Sequence, residues 1–191
     1  MEVKETAKKY NATDGQYTYS EYARWGDEHR YELIDGFAYM MSAPSIEHQR
    51  VVLKVSRQLA AFLDGKPCEV FIAPVDVCLN GKGDEDDTVV QSDILVVCDE
   101  TIIDEKRCNG APDLIIEISS PSTSSLDRIK KLNKYLQAGV REYWIVDPLD
   151  KSVLVFILEN GKYVTNAYDD TETISVHVLD GCDITLPDIF Q

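Results

Sequence analysis

The segment Gly110-Ala-Pro-Asp-Leu-Ile-Ile-Glu117-Ile-Ser-Ser-Pro-Ser-Thr123 sets a glutamate inside a run of β-branched and aliphatic residues that reads as a buried strand. An ionised carboxylate in such surroundings is costly unless a metal or a fixed partner compensates it. Upstream, Val89-Val90-Gln91-Ser92-Asp93 leads into Ile94-Leu95-Val96-Val97 and delivers a second acid at the edge of an apolar strand. Two acids on two central strands point to a cation site.

Strand geometry narrows the choice of acids. Residues 113, 115, 117 and 119 point to one face, so Asp113 and Glu117 share a side. At about 3.3 Å of rise per residue they stand roughly 13 Å apart, too far for both to touch one ion at about 2.1 Å. Asp113 is therefore assigned a strand-entry or structural role. Glu117 meets Asp93 only if their strands are neighbours, which the short connection with its Asn109-Gly110 turn signal favours.

The remaining pattern is mixed α/β. Residues 1–16 are polar and lie outside the expected single domain, 17–191. Thr18 or Ser20 caps a short helix through Trp25, and Arg30 to Ser42 reads as a hairpin folded at Asp35-Gly36. Ser45 caps a long helix to Leu63, with Val51, Val52, Val55, Leu59 and Phe62 at helical spacing and Gly65 as its stop. A strand over Glu69–Leu79, a Gly/Asp loop and the two acid-bearing strands follow. A helix from Ser124 to Ala138 ends at Gly139, and a strand over Arg141–Val146 completes a βαβ spacing that favours a parallel neighbour. Val153–Leu158 and Tyr163–Ala167 form a hairpin across Asn160-Gly161, and Ile174–Leu179 supplies a last strand.

Several pieces together resemble the family described as putative restriction endonucleases, within the PD-(D/E)XK nuclease superfamily. They are Tyr31-Glu32-Leu33-Ile34-Asp35-Gly36, Gln91-Ser92-Asp93, Pro112-Asp113 through Glu117 to Thr123, Asp127 with Lys131 and Tyr135, and Gly139-Val140 through Glu142-Tyr143-Trp144 to Asp147-Pro148. The resemblance runs over nearly the whole chain. It implies a restriction-endonuclease-like core with an added N-terminal hairpin and added C-terminal strands. It implies a Mg²⁺-dependent endonuclease acting on DNA, with Mn²⁺ as the alternative metal, Asp93 and Glu117 as acids of the two signature strands, and Glu32 as a third carboxylate. Ser119 occupies the place of the usual strand lysine and Ser92 that of the usual proline, and the lysine is relocated to the next helix, at Lys131. Apolar periodicity alone does not select it. On a helical wheel Lys130 and Lys131 flank the face set by Leu126, Ile129, Leu132, Tyr135 and Leu136 about equally.

Hydrolysis of a phosphodiester needs an activated water and stabilisation of added negative charge, which a divalent ion held by carboxylates supplies. A nearby lysine offsets charge in the transition state. Against this stands the formal net charge of −15, from 34 acidic and 19 basic residues. Affinity for nucleic acid comes largely from Lys and Arg, so DNA binding is expected to be weak, metal-bridged or supplied by a local basic patch or a partner. The acidic charge and the missing strand lysine support a second reading, a nuclease fold without activity that serves as a homodimeric binding or regulatory module.

Five cysteines, at 68, 78, 98, 108 and 182, are odd in number and form no C-x-x-C pair. They are read as reduced, mostly buried thiols rather than a disulfide framework or zinc site. His48 is read as a surface or satisfied histidine and Tyr135 as core. With no apolar stretch long enough to span a bilayer and no apolar run after the charged N-terminus, the chain is expected in the cytoplasm, without a membrane partner. A homodimer is expected from the C-terminal strands, through Val153, Val155 and Ile157.

Overall fold

The computed structural model describes residues 16–26, 30–119 and 125–191, with the backbone alone over 125–128. In chain order the elements are α1 (Tyr19–Tyr22), β1 (Tyr31–Ile34), β2 (Phe37–Met40), α2 (Ile46–Leu63), β3 (Glu69–Ile72), β4 (Asp76–Cys78), β5 (Val89–Val90) and β6 (Ile94–Val97). They continue with β7 (Arg107–Asn109), β8 (Leu114–Ile118), α3 (Ser125–Ala138), β9 (Glu142–Asp147), β10 (Ser152–Glu159), β11 (Lys162–Asp169), β12 (Thr173–Ser175), β13 (Asp183–Thr185) and α4 (Leu186–Phe190).

The central sheet runs β11-β10-β9-β8-β6-β3, with β8 and β9 parallel across α3 and the other pairs antiparallel. A second sheet, β2-β1-β5-β4-β7, carries the N-terminal hairpin. That hairpin closes where the sequence places it, because Asp35 and Gly36 both adopt positive φ, 53° and 78°, as a two-residue loop with the twist of its strands demands. Ser45 caps α2 by accepting from the His48 amide at 3.1 Å.

The central sheet is covered on both faces. On one side Val51, Val55 and Leu59 of α2 pack with Ile94, Ile116 and Trp144, joined by the C-terminal Ile174, Ile184 and Ile189. On the other, Leu95, Ile115 and Tyr143 pack with Val77 and Val90 of the second sheet and with Tyr135 of α3. Period-two alternation thus directs Glu117, with Ile115, toward the α3 side.

Four local expectations change. The stretch from Glu69 to Leu79 is two strands separated at Ala73-Pro74, since proline gives the ladder no N–H. The strand expected over Ile174–Leu179 ends at Ser175, after which the chain turns back through Leu179 and Cys182. Cys68 and Cys98 form a disulfide, their Cα atoms 4.0 Å apart, while Cys78, Cys108 and Cys182 are buried free thiols. The pair flanks β3 and β6, whose Glu69↔Val97 register brings the cysteines opposite each other, a relation that spacing along the chain does not encode. Val153 and Val155, named as dimer contacts, are 0 % and 1 % exposed and belong to the core under α2. What the C-terminal hairpin leaves uncovered is the outer edge of β11.

Glu142 opens β9 and is fully buried, accepting from Trp144 Nε1 at 2.7 Å and from the Val178 amide at 2.9 Å. It ties the C-terminal turn to the sheet, and burial pushes its carboxyl pKa up despite those two donors. Glu142→Ala orphans both donors and is expected to lower stability by about 2–4 kcal/mol. Urea unfolding should show this as a lower midpoint at unchanged slope.

Candidate active site

β6 and β8 pair antiparallel with Ile94 opposite Ile116, and continuing that register by one residue sets Asp93 opposite Glu117. Asp93 Oδ2 accepts from the Ile118 amide at 2.8 Å, which confirms that the two strand ends are in contact. Asp113 stays out of the site. Its carboxylate accepts from the Cys98 amide at 2.8 Å and from Arg141 at 2.8 Å, the structural role read from the strand spacing.

α3 crosses the face that presents Glu117. Lys131 Nζ lies 3.0 Å from Glu117 Oε1 and 2.8 Å from Glu32 Oε1. Lys130, the other candidate, instead donates to Tyr39 Oη at 3.0 Å. Ile129, expected on the apolar face, is 55 % exposed, because the buried face of α3 is centred on Lys131 and Tyr135, four residues apart. A lysine occupying an inward position displaces the face inferred from apolar residues alone.

Each of the three acids is fixed through one oxygen. Glu32 is buried on β1, cross-strand from Tyr39, and its Oε1 also accepts from the Gln91 amide at 2.9 Å. Glu117 Oε1 accepts from Tyr135 Oη at 2.6 Å, and that phenol lies 3.3 Å from Ser92 Oγ. Asp93 Oδ2 lies 3.1 Å from His48 Nε2. Among the described residues, Glu32 Oε2, Asp93 Oδ1 and Glu117 Oε2 have no hydrogen-bond donor.

The three acids, His48 and Lys131 line one cavity of about 300 Å³ between the N-terminal hairpin, the start of α2 and the strand ends of β6 and β8. Its electrostatics are unusual for a carboxylate cluster. Burial pushes the Glu117 carboxyl up to about 7; Lys131 pulls it down, while Asp93 and Glu32 push it further up. Burial alone would lower Lys131, but Glu117 and Glu32 outweigh it and hold the ammonium pKa well above its ordinary value. Lys131 is therefore a permanent charge and donor, not a base. The hydrogen bond to Asp93 raises His48 against the opposing effect of burial.

His48, read as a surface or satisfied histidine, is the satisfied kind, through Nε2 to Asp93, and lines the cavity. It is 7 % exposed and contacts an acid 45 positions away. The available signal was its place in the first turn of α2, three residues after the Ser45 cap, where the helix start meets the entry to β6. Gln91 proves a hub: its side chain accepts from Arg30 at 2.8 and 2.7 Å and donates to Asp76 at 2.8 Å and Tyr22 at 3.1 Å. Residues 120–124, expected to cap α3, lie outside the described residues, as does the Asp127 side chain. Among the described residues no group of three or more His, Cys, Asp or Glu side chains is arranged to hold a metal ion, and no helix is long and apolar enough to cross a membrane.

Comparison with known proteins bears on the fold and the family. The uncharacterized protein slr1290 of Synechocystis sp. is 28% identical over 123 residues, and the match spans 60% of this chain and 60% of that relative. A crystal structure described as a putative nuclease belonging to DUF820, from Anabaena variabilis ATCC 29413, shares the fold with a TM-score of 0.74 at 20% identity, covering 91% of this chain and 97% of that one. Residues 19–187 match the Uma2 family, described as putative restriction endonuclease. The mixed α/β chain therefore belongs to that family.

Proposed function

We propose that the protein is a divalent-metal-dependent nuclease that hydrolyses phosphodiester bonds of DNA. The observation that carries the reading is the convergence of Glu32, Asp93, Glu117 and Lys131, from two strands, the entry to a third and a helix, on one cavity. A buried lysine bridging two acids also suits a purely structural ion pair. The structural reading accounts less well for a third acid and a histidine at the same cavity wall.

The residues fit a hard cation in their chemistry. All three acids offer oxygen donors, and each keeps one oxygen without a donor among the described residues. Glu117 is poorly stabilised as an anion, which a cation would correct. Asp93 and Glu117 would hold the ion, with Glu32 as the third carboxylate, and Mg²⁺ is the metal we propose, Mn²⁺ its substitute. When bound, it supplies Lewis-acid stabilisation of phosphoryl charge and a more acidic water. Lys131 keeps its proton throughout. Two of its donors go to Glu32 and Glu117, and the third is available to orient a water or a phosphoryl oxygen. Tyr135 and the Gln91 and Ile118 amides hold the acids in one orientation, so little reorganisation is needed at the moment of reaction. Cleavage of end-labelled DNA in Mg²⁺, absent in chelator and restored by added Mg²⁺ or Mn²⁺, is the expected result; metal-independent cleavage, or none with any divalent ion, overturns the reading.

The Glu117 shift gives a pH test. Its ordinary value of 4.5 is raised to about 7 on folding, so the folded chain binds the proton more tightly than the unfolded chain. That contribution to stability is fully present below 4.5 and is lost as pH rises through about 7. Metal-free protein is expected to lose about 3 kcal/mol across this window relative to Glu117→Gln. Denaturant titrations at a series of pH values measure the difference, and Mg²⁺ at saturation should diminish it by favouring the anion.

We further propose that the chain is a homodimer joined along β11, which pairs with β10 on one side only among the described residues and exposes Val164 at 44 %. Sedimentation at micromolar concentration should give twice the chain mass, and Val164→Lys should shift it toward the single chain. A monomeric wild type removes this proposal and leaves the nuclease reading untouched.

A further inference from the structure

We propose that the cavity accepts an unpaired nucleotide, so that the substrate is a single strand or a frayed end rather than intact duplex; this rests on the nuclease reading and names its substrate class. The argument begins at the hairpin. β1 and β2 pair Glu32 with Tyr39, and the Met41 amide donates to the Arg30 carbonyl at 2.8 Å. By the alternation of a pleated strand, Arg30, Glu32, Tyr39 and Met41 present one common face, and all four line the cavity. An acid of the site is thus flanked, on its own face, by an aromatic ring and a thioether. Those surfaces suit the face of a base and have no use for a phosphate.

The ring is held in place. Lys130 Nζ donates to Tyr39 Oη and lies 4.9 Å from the ring centroid, which leaves a cation at the edge of the platform. Arg30 is likewise fixed, donating from Nε and Nη2 to Gln91 Oε1.

Access and charge point the same way. The Glu32, Asp93 and Glu117 side chains are only 8 %, 17 % and 17 % exposed, so a scissile phosphate has to enter the cavity instead of resting on its rim. A strand free of its complement enters readily, whereas a duplex must first unstack. The cavity volume of about 300 Å³ is at the small end for ligand sites and matches one nucleotide better than a duplex segment. A chain with net charge −15 has few cations to spread along two phosphate backbones, and stacking supplies affinity that does not depend on net charge.

The test is fluorescence anisotropy of the full chain with a labelled oligonucleotide, in chelator and again in Ca²⁺. Three probes are compared: the single strand, its blunt duplex, and the single strand carrying consecutive abasic sites. The single strand should bind about tenfold or more tightly than the duplex, and abasic sites or Tyr39→Ala should weaken it by roughly five- to hundredfold, with Tyr39→Phe retaining most of the affinity. Duplex bound as tightly as single strand, or an abasic strand bound as well as the normal one, overturns the proposal. Because the readout is binding, a protein that prefers the single strand yet cuts nothing in Mg²⁺ supports this inference while refuting the nuclease reading.

Discussion

Glu117→Gln is expected to lower DNA cleavage by about 10³-fold or more while the protein remains folded. Glutamine keeps the shape of the side chain and an oxygen able to accept from Tyr135 Oη and Lys131 Nζ, so the local bonds survive. What is lost is a negative charge at the point where the proposed cation would be held, and removal of one such electrostatic contributor costs on the order of 10²–10³-fold in comparable sites. Loss of the metal itself adds to that. Because Glu117 is raised to about 7 by burial, neutralising it should also leave the metal-free protein at least as stable as wild type at pH above that value. An inactive variant of undiminished stability separates a functional acid from a structural one. A strongly destabilised Glu117→Gln would instead mark the Lys131–Glu117 pair as a structural ion pair.

Lys131→Ala should behave differently, losing both activity and stability. Its ammonium is the ion-pair partner of both Glu32 and Glu117, whose side chains are 8 % and 17 % exposed. Removing one partner from a buried charge cluster costs about 3–5 kcal/mol, because the remaining charges are left without compensation. Part of that cost is relieved when Glu117 takes a proton. The destabilisation is therefore expected to be larger above pH 7 than near pH 5, the opposite of what loss of a surface lysine would give. Cleavage should fall by about 10²-fold or more at a pH and temperature where the variant is folded. Lys130→Ala, which removes the contact to Tyr39 and leaves the Lys131 pairs in place, should cost far less stability and affect substrate binding first. Thermal unfolding and cleavage measured together on the two variants distinguish these outcomes.

The contrast between these lysines shows where the sequence stops being legible. Features written in nearest-neighbour chemistry were readable: the hairpin at Asp35-Gly36 from its positive-φ dipeptide, α2 from the Ser45 cap, and Asp93 and Glu117 from acids set in aliphatic runs. The demotion of Asp113 followed from strand rise alone. Lys131 could not be separated from Lys130 by periodicity, since the inward face of α3 includes a charged residue and the apolar residues therefore misplace it, as exposed Ile129 shows. The His48–Asp93 contact and the Cys68–Cys98 pair were not legible for a related reason. The partners are 45 and 30 positions apart and are chosen by strand register and helix docking, which are properties of the packed chain. The buried valines of β10 failed in the same manner, because their cover is α2 and the C-terminal segment rather than a second copy.

The central claim, that Asp93 and Glu117 jointly hold a divalent ion, is tested most directly by anomalous diffraction from crystals grown with Mn²⁺. The account predicts one strong peak in the cavity, about 2.0–2.3 Å from a carboxylate oxygen of each residue, with Lys131 Nζ nearby. That peak should be absent in Glu117→Gln. A peak bound elsewhere, or an ordered cavity in which Lys131 still bridges Glu32 and Glu117 and no ion enters at saturating Mn²⁺, would contradict it and favour a nuclease fold retained as a binding module.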